Sequence, residues 1–357
     1  MKLNPTYDVV IIGAGPAGCN LARLIDADRY RVLLLDASSM RKKVCAGLLS
    51  PDAQRLLNRY HIALPSDVFV RPQLSSVRVI DLAYPHIRHY RRSYLNVDRS
   101  AFDAYLLRLV PAAVTIASAR CHSIERRNKD FVLQLHHADG HREHIRARYV
   151  VGADGASSIV RSTLFADRNI QKYVSIQQWF SADAIDPYYS CVFDHETSES
   201  CSWIFFKDGQ LVFGGAFSPR GCRAAFEEQK RKLVERGIVP AHLLEHPLRT
   251  EACRVSRPHL NKGIFRGKDC AYLIGEAAGF ISPSSFEGIS YALASGEALA
   301  RAFNQKKTPP GIFRAYRQRT ALLGLKVKGK CLKRPFMYVP LLRKLILKTG
   351  FGATKQI

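Results

Sequence analysis

Three glycine-rich turns hold most of the chemical potential of this chain. The first, Gly13-Ala14-Gly15-Pro16-Ala17-Gly18, follows directly on the apolar run Val9-Val10-Ile11-Ile12. Ala17, Leu21, Leu24 and Ile25 then recur at helical spacing, and a second apolar run, Val32-Leu33-Leu34-Leu35, ends in Asp36. Uninterrupted apolar runs of this length read as strands buried on both faces, so the order is strand, glycine turn, helix, strand, acid. That order suits the pyrophosphate of a dinucleotide. Gly13 permits the tight turn, Gly15 lets the backbone approach the anion, and Gly18 lets the helix pack close to the sheet. Pro16 and Ala17 open that helix, whose N-terminus faces the negative charge. Asp36 would accept hydrogen bonds from a ribose diol, and an acid there argues against a 2′-phosphate.

The second turn, Gly152-Ala153-Asp154-Gly155, follows the strand-like Arg148-Tyr149-Val150-Val151. Asp154 reads first as a residue that holds its own turn and second as a cofactor contact. The third turn, Gly275-Glu276-Ala277-Ala278-Gly279, follows Cys270-Ala271-Tyr272-Leu273-Ile274. Behind it Ile289, Ala292, Leu293, Gly296, Leu299, Ala300 and Phe303 mark one face of a helix that begins near Glu287-Gly288. Three glycine turns at strand ends suggest one long ligand touched at several points. FAD, with adenosine, pyrophosphate, ribityl and flavin parts, fits that better than NAD.

These turns need a scaffold, and the chain is long enough to supply one. Its 357 residues are 47% hydrophobic and 24% charged, as in an ordinary folded protein. The fold class expected is α/β: an FAD-binding Rossmann-like domain with an interleaved β-rich substrate domain and a helical C-terminus. The FAD domain is discontinuous, gathering residues 1–70, 95–165 and 265–305. Residues 71–94 and 166–264 make the substrate domain, with strands expected at 76–81, 173–180, 188–193 and 210–216 and a charged helix at about 219–240. Residues 306–357 form a basic helical segment. Nine cysteines are scattered without metal or disulfide spacing, so no metal site is expected. No apolar run is long enough for a signal core or a membrane span, which gives the expectation of a cytoplasmic protein.

Charge is the unusual property. Lys and Arg number 54 against 30 Asp and Glu, a net +24, and residues 301–357 hold 15 Lys and Arg with no acid. Such an excess points to an anionic partner. Pro340 could start a helix with Leu341, Leu342, Leu345 and Ile346 apolar and Arg343, Lys344 and Lys348 polar, closed by Gly350. A basic amphipathic helix can lie peripherally on an anionic membrane surface, or it can dock on its own protein with its charges in water. Beyond charge, no motif supports nucleic-acid binding.

The three turns together resemble the p-hydroxybenzoate hydroxylase-type flavoproteins, and within them the geranylgeranyl reductase branch. The segments that carry the resemblance are Lys43-Val44-Cys45-Ala46-Gly47 through Gln54, Asn96-Val97-Asp98-Arg99 through Asp103, Ser202-Trp203-Ile204-Phe205-Phe206-Lys207, and Gly275 through Pro283 with Glu287-Gly288-Ile289. The branch has Asp where this chain has Glu276, Tyr where it has Cys201, and Pro where it has Phe206.

The resemblance implies that Arg99 contacts the flavin or its phosphates, with Asp103 one helical turn on as its partner. It implies that Glu276 and Gly279 lie at the ribityl chain, that Gly288 and Ile289 face the flavin, and that Cys45, Ala46 and Gly47 lie beside the ring. Cys45 would tune reactivity or donate a proton, or be a small packed thiol. Trp203 would wall a hydrophobic small-molecule substrate, along with Cys201 and Phe206; Cys45 and Trp203 are the catalytic-side candidates. The function implied is reduction of C=C bonds in an isoprenoid or lipid-like substrate by hydride from reduced flavin. The alternatives are an aromatic or lipid monooxygenase and a non-enzymatic redox sensor or membrane-associated resistance factor. NAD(P)H or a reduced electron-carrier protein would be a transient donor, because only one complete dinucleotide unit is present.

Overall fold

The strand–turn–helix–strand order at the N-terminus folds as a parallel unit whose two apolar runs are buried. The structure is a computed structural model that describes residues 3–37, 44–84, 86–182 and 186–349. Its elements run β1 (Thr6–Ile12), α1 (Pro16–Leu24), β2 (Val32–Asp36), β3 (Leu48–Leu49), α2 (Pro51–Arg59), β4 (Leu74–Asp81), β5 (His86–Asn96) and α3 (Arg99–Arg108). There follow β6 (Thr115–Arg127), β7 (Asp130–His137), β8 (Arg142–Gly152), α4 (Ile159–Leu164), β9 (Gln171–Ser181), β10 (Tyr188–Phe193), β11 (Cys201–Lys207) and β12 (Gln210–Phe217). The chain then forms α5 (Cys222–Glu235), β13 (Arg249–Arg257), β14 (Gly267–Lys268), β15 (Ala271–Leu273), α6 (Ile289–Gln305), α7 (Pro309–Arg319), α8 (Ala321–Tyr338) and α9 (Pro340–Thr349).

Two sheets result. In the seven-stranded sheet β1 lies between β2 and β8, parallel to both, with Val9 opposite Val32 and Tyr149. β2 continues parallel to the start of β6, and β15 runs parallel to the end of β8. The second half of β6, all of β7 and the first half of β8 form an antiparallel meander on the same sheet. The eight-stranded sheet has the order β13-β9-β12-β11-β10-β4-β5-β3. Leu48–Leu49 pairs there with the end of β5, so this short piece leaves the parallel unit to join the second sheet.

α1 and α6 pack against the first sheet in one large core with Val10, Leu33, Val150 and Leu273. α5 covers one face of the second sheet, where Phe206, Phe213, Phe217 and Phe226 meet. α8 and α9 close its far end. There Arg343 donates two hydrogen bonds of 2.6 Å to the carboxylate of Asp81, and both side chains are buried. Gly350 and Lys43 lie outside the described residues, as do the side chains of Ile346 and Lys348.

Candidate functional site

The three glycine turns sit at the C-terminal ends of the parallel strands β1, β8 and β15, where α/β sheets bind their ligands. Gly13 has φ +107°, and a Cβ there would lie 2.7 Å from the Ala153 carbonyl oxygen. The Ala153 amide in turn donates to the Ile12 carbonyl at 2.9 Å, so the first two turns touch. A Cβ on Gly18 would strike the Gly13 carbonyl oxygen at 1.9 Å. Gly15 differs: it precedes α1, and no atom lies within 4 Å of where its side chain would project. Pro16 and Ala17 form the buried first turn of α1, and a Cβ on Gly275 would lie 3.0 Å from the Ala17 methyl. The Gly275 amide donates to Ser295 on α6 at 2.8 Å.

Asp36 ends β2, and the Gly13 amide donates to the neighbouring Leu35 carbonyl. Asp154 turns inward. One carboxylate oxygen accepts the Ile159 amide at 2.7 Å at the start of α4, and the other is buried without a partner. Burial pushes its pKa up to about 6, against the pull of hydrogen bonds from Ser158 and nearby amides. Glu276 ties the third turn to the second sheet, accepting the Ser256 amide at 2.7 Å, while its other oxygen lies toward Gly155. Gly279 closes this turn at φ +84°. Gly288 precedes the first residue of α6, Ile289, with its Cβ direction toward Ile281.

A second group forms beside the first. Arg99 opens α3 and is buried. Its Nε donates to Asp103 at 2.8 Å, while Nη2 has no hydrogen-bond partner. Burial works against its charge, but Asp103 and then Cys45 outweigh it and hold the pKa above the ordinary arginine value. Asp103 is also close to α1: burial, then Asp103 and Asp36, raise the Cys19 thiol. The Gly47 amide approaches the Cys45 sulfur at 3.5 Å. The loop holding Cys45, Ala46 and Gly47 is pinned from two sides. Val97 donates its amide to the Gly47 carbonyl at 2.9 Å, and Lys207 donates to the carbonyls of Val97 at 2.6 Å and Ala46 at 3.3 Å.

Above this loop lies the face of the second sheet that α5 leaves uncovered. Ala46 and Leu48 pack there with Leu74, Tyr94, Trp179, Tyr189, Trp203, Phe205 and Val212. Trp203 lies over Gly214, where a Cβ would meet the indole nitrogen at 2.5 Å, and that nitrogen is buried without a partner. Cys201 continues the face into a neighbouring cluster with Phe193, Cys191 and Tyr338. Phe206 does not line it. Strand alternation turns Phe206 to the opposite face, under α5, which corrects its expected place in the wall.

Sequence reasoning missed Lys207 and Glu287. Lys207 keeps the parity of Trp203 and Phe205, so a lysine at an apolar-face position was the available signal. Its charge is buried, which lowers its pKa, with Cys45 opposing. Glu287 lies just before α6 with one carboxylate oxygen buried and unpartnered, and burial raises its pKa. Arg92 of β5 approaches it at 3.8 Å.

Among the described residues no cluster of three or more His, Cys, Asp or Glu could hold a metal. Two surface cavities of about 340 and 630 Å³ lie elsewhere, one of them at the starts of β1 and β2, and neither is lined by a residue of the three glycine turns, the Cys45 loop or the Trp203 face.

Known proteins extend the picture. The chain matches the family described as Lycopene cyclase protein over residues 8–252. It is 42% identical to the protein CbrA of Escherichia coli, over 98% of this chain and 95% of that protein. Among solved structures it resembles a geranylgeranyl bacteriochlorophyll reductase-like protein from Thermoplasma acidophilum, with TM-score 0.77 and 19% identity over 95% of this chain and 90% of that one. It also resembles a probable FAD-dependent monooxygenase from Pseudomonas aeruginosa, with TM-score 0.69 and 18% identity over 97% and 99%. At such identities the structural likeness establishes the shared flavoprotein fold. The long sequence match and the near-complete alignment with CbrA establish more: this chain belongs to the lycopene cyclase protein family, alongside the CbrA proteins.

Proposed function

We propose that this chain is an FAD-dependent oxidoreductase that reduces C=C bonds in an isoprenoid or lipid-like substrate. The observation that carries the reading is the single apolar cluster joining the Ala46–Leu48 loop to Trp203, Phe205 and Trp179. A loop that the resemblance sets beside the flavin is thus continuous with an apolar wall, which suits an uncharged hydrophobic acceptor.

The residues present fit FAD. Beside Gly15 the backbone is open where a side chain would fill the cradle, and Arg99 Nη2 is a buried donor without a protein acceptor. The turn at Gly13–Gly18 and the N-terminus of α1 would receive the pyrophosphate, and Asp36 the ribose diol. Glu276, Gly279, Gly288 and Ile289 would border the ribityl and flavin parts, with Asp154 shaping the turn between them. When bound, reduced FAD supplies the hydride. The protein would supply the rest. Arg99 holds a fixed positive charge between Asp103 and Cys45. The N-terminus of α6 favours negative charge on whatever it faces. Trp203 and Phe205 exclude water from the acceptor, and Lys207 fixes the Cys45 loop against the wall. The electron donor would be NAD(P)H bound transiently or a reduced carrier protein.

The test is anaerobic turnover. Protein reconstituted with FAD is photoreduced, mixed with polyprenyl lipids, and followed at the flavin absorbance with mass spectrometry of the product. A product heavier by two hydrogens per reduced bond, without oxygen uptake, supports the reading. Oxygen-dependent flavin reoxidation with a hydroxylated product would replace it with a monooxygenase. Failure to take up stoichiometric FAD would end it.

A further inference from the structure

The outer face of α8 carries an apolar stripe that the protein itself leaves in solvent. Leu322 is 79% exposed, Leu325 61%, Leu332 62% and Phe336 49%. At 100° per residue these four fall within an arc of about 80°. Val339 and Leu341, where the chain passes into α9, continue the exposed apolar surface. Seven of the twelve large apolar side chains exposed among the described residues lie in α8, α9 and the residue between them. Ordinary soluble surfaces scatter such residues singly, so a contiguous row marks an interaction face.

Its rim is basic. Lys333 flanks the stripe on one side and Lys328 on the other, both exposed, while Lys326 beside Lys333 is paired with Asp52 of α2. No acid occurs anywhere from residue 301 to 357. We infer that the outer face of α8, with the start of α9, docks on an anionic phospholipid bilayer: the leucines and Phe336 enter the acyl boundary and the lysines meet the headgroups. A second copy of this chain is a poor occupant. A two-fold contact would set the same lysine-rimmed patch against itself, and Asp52 at its edge is already paired with Lys326 and Arg55.

The inner face of the same helix reaches the candidate site. Tyr338 donates to the Ser284 carbonyl in the loop before α6, Cys331 approaches the Pro258 carbonyl at 3.4 Å, and the Lys330 ammonium lies 5.5 Å from the Tyr291 ring centre. One helix therefore stands between the bilayer face and the turn that starts α6. A hydrophobic substrate drawn from the membrane would cross little water.

The inference rests on this surface and needs no turnover, so its test is separate from that of the reaction. The full-length protein is sedimented with vesicles of pure phosphatidylcholine and with vesicles containing phosphatidylglycerol. Binding is expected only to the second, weakening as salt rises. The L325E/L332E pair should weaken it by about a hundredfold, the loss of two buried leucines. The K328E/K333E pair should weaken it by at least about tenfold. Both variants should keep the unfolding midpoint of the parent, since the residues touch solvent. Absence of binding to anionic vesicles at low salt would overturn the inference. So would a stable dimer that L325E/L332E dissolves, because the face would then be a contact between copies.

Discussion

Gly15 and Gly18 sit in one turn and serve different ends. A methyl on Gly18 would collide with the Gly13 carbonyl, whereas a methyl on Gly15 would meet nothing in the protein. G18A is therefore expected to destabilise the fold by about 2 kcal/mol or more, as overpacked substitutions do. G15A should leave stability within about 1 kcal/mol, in the range of cap changes, yet abolish FAD retention. Urea unfolding of the apoprotein and the flavin absorbance of reconstituted protein separate the two effects. Asp154 offers a second test by pH. Its folded pKa of about 6 lies above the ordinary value of 3.8, so the folded state holds this proton more tightly. The stability it contributes is full below about pH 4 and is lost as pH rises through about 6. D154N removes that dependence. Relative to the parent, the apoprotein variant should gain about 2 kcal/mol between pH 4 and pH 7, read from unfolding curves at both. No such gain would mean that the carboxyl is better solvated than its burial implies.

At the scale of elements, the loop before β3 depends on a lysine from β11. K207M would leave the Val97 and Ala46 carbonyls without their donor, a loss of about 1–3 kcal/mol in unfolding. It should also blue- or red-shift the bound-flavin spectrum if that loop borders the ring, whereas a purely structural lysine would leave the spectrum unchanged. Such pairings explain what could be read from the sequence. The three turns were legible because each is local: apolar strand, glycines, helix. β10 was legible from its aromatic and branched residues. β5 was not, because Arg88 and Arg92 alternate with Tyr90 and Tyr94 on its inner face. The edge strand β13 hides its pattern likewise, with Arg249, Thr250 and Arg254 exposed and Glu251 turned in to accept from Trp179. Lys207 and Glu287 acquire their meaning only when distant elements fold over them. Phe206 adjoins the wall residues in sequence, but strand alternation carries it to the opposite face.

The whole molecule is closed by the buried pair of Asp81 and Arg343, which fixes α9 to the second sheet. Breaking it strands a charge in the interior. R343M is expected to cost about 3–5 kcal/mol and to release the C-terminal helix to trypsin, visible as an early cleavage near residue 340 while the rest stays folded. A D81N/R343M chain should recover part of that loss, because no charge remains buried. The interleaving of the two sheets has its own consequence. β1 takes β8 as its neighbour, and β8 takes β15, so the turns at residues 13, 152 and 275 meet only after most of the chain exists. During synthesis the first turn leaves the ribosome long before its companions, with no complete cradle to offer. Nucleotide capture is then a late, post-translational step. A cell short of flavin would accumulate full-length apoprotein rather than stalled fragments.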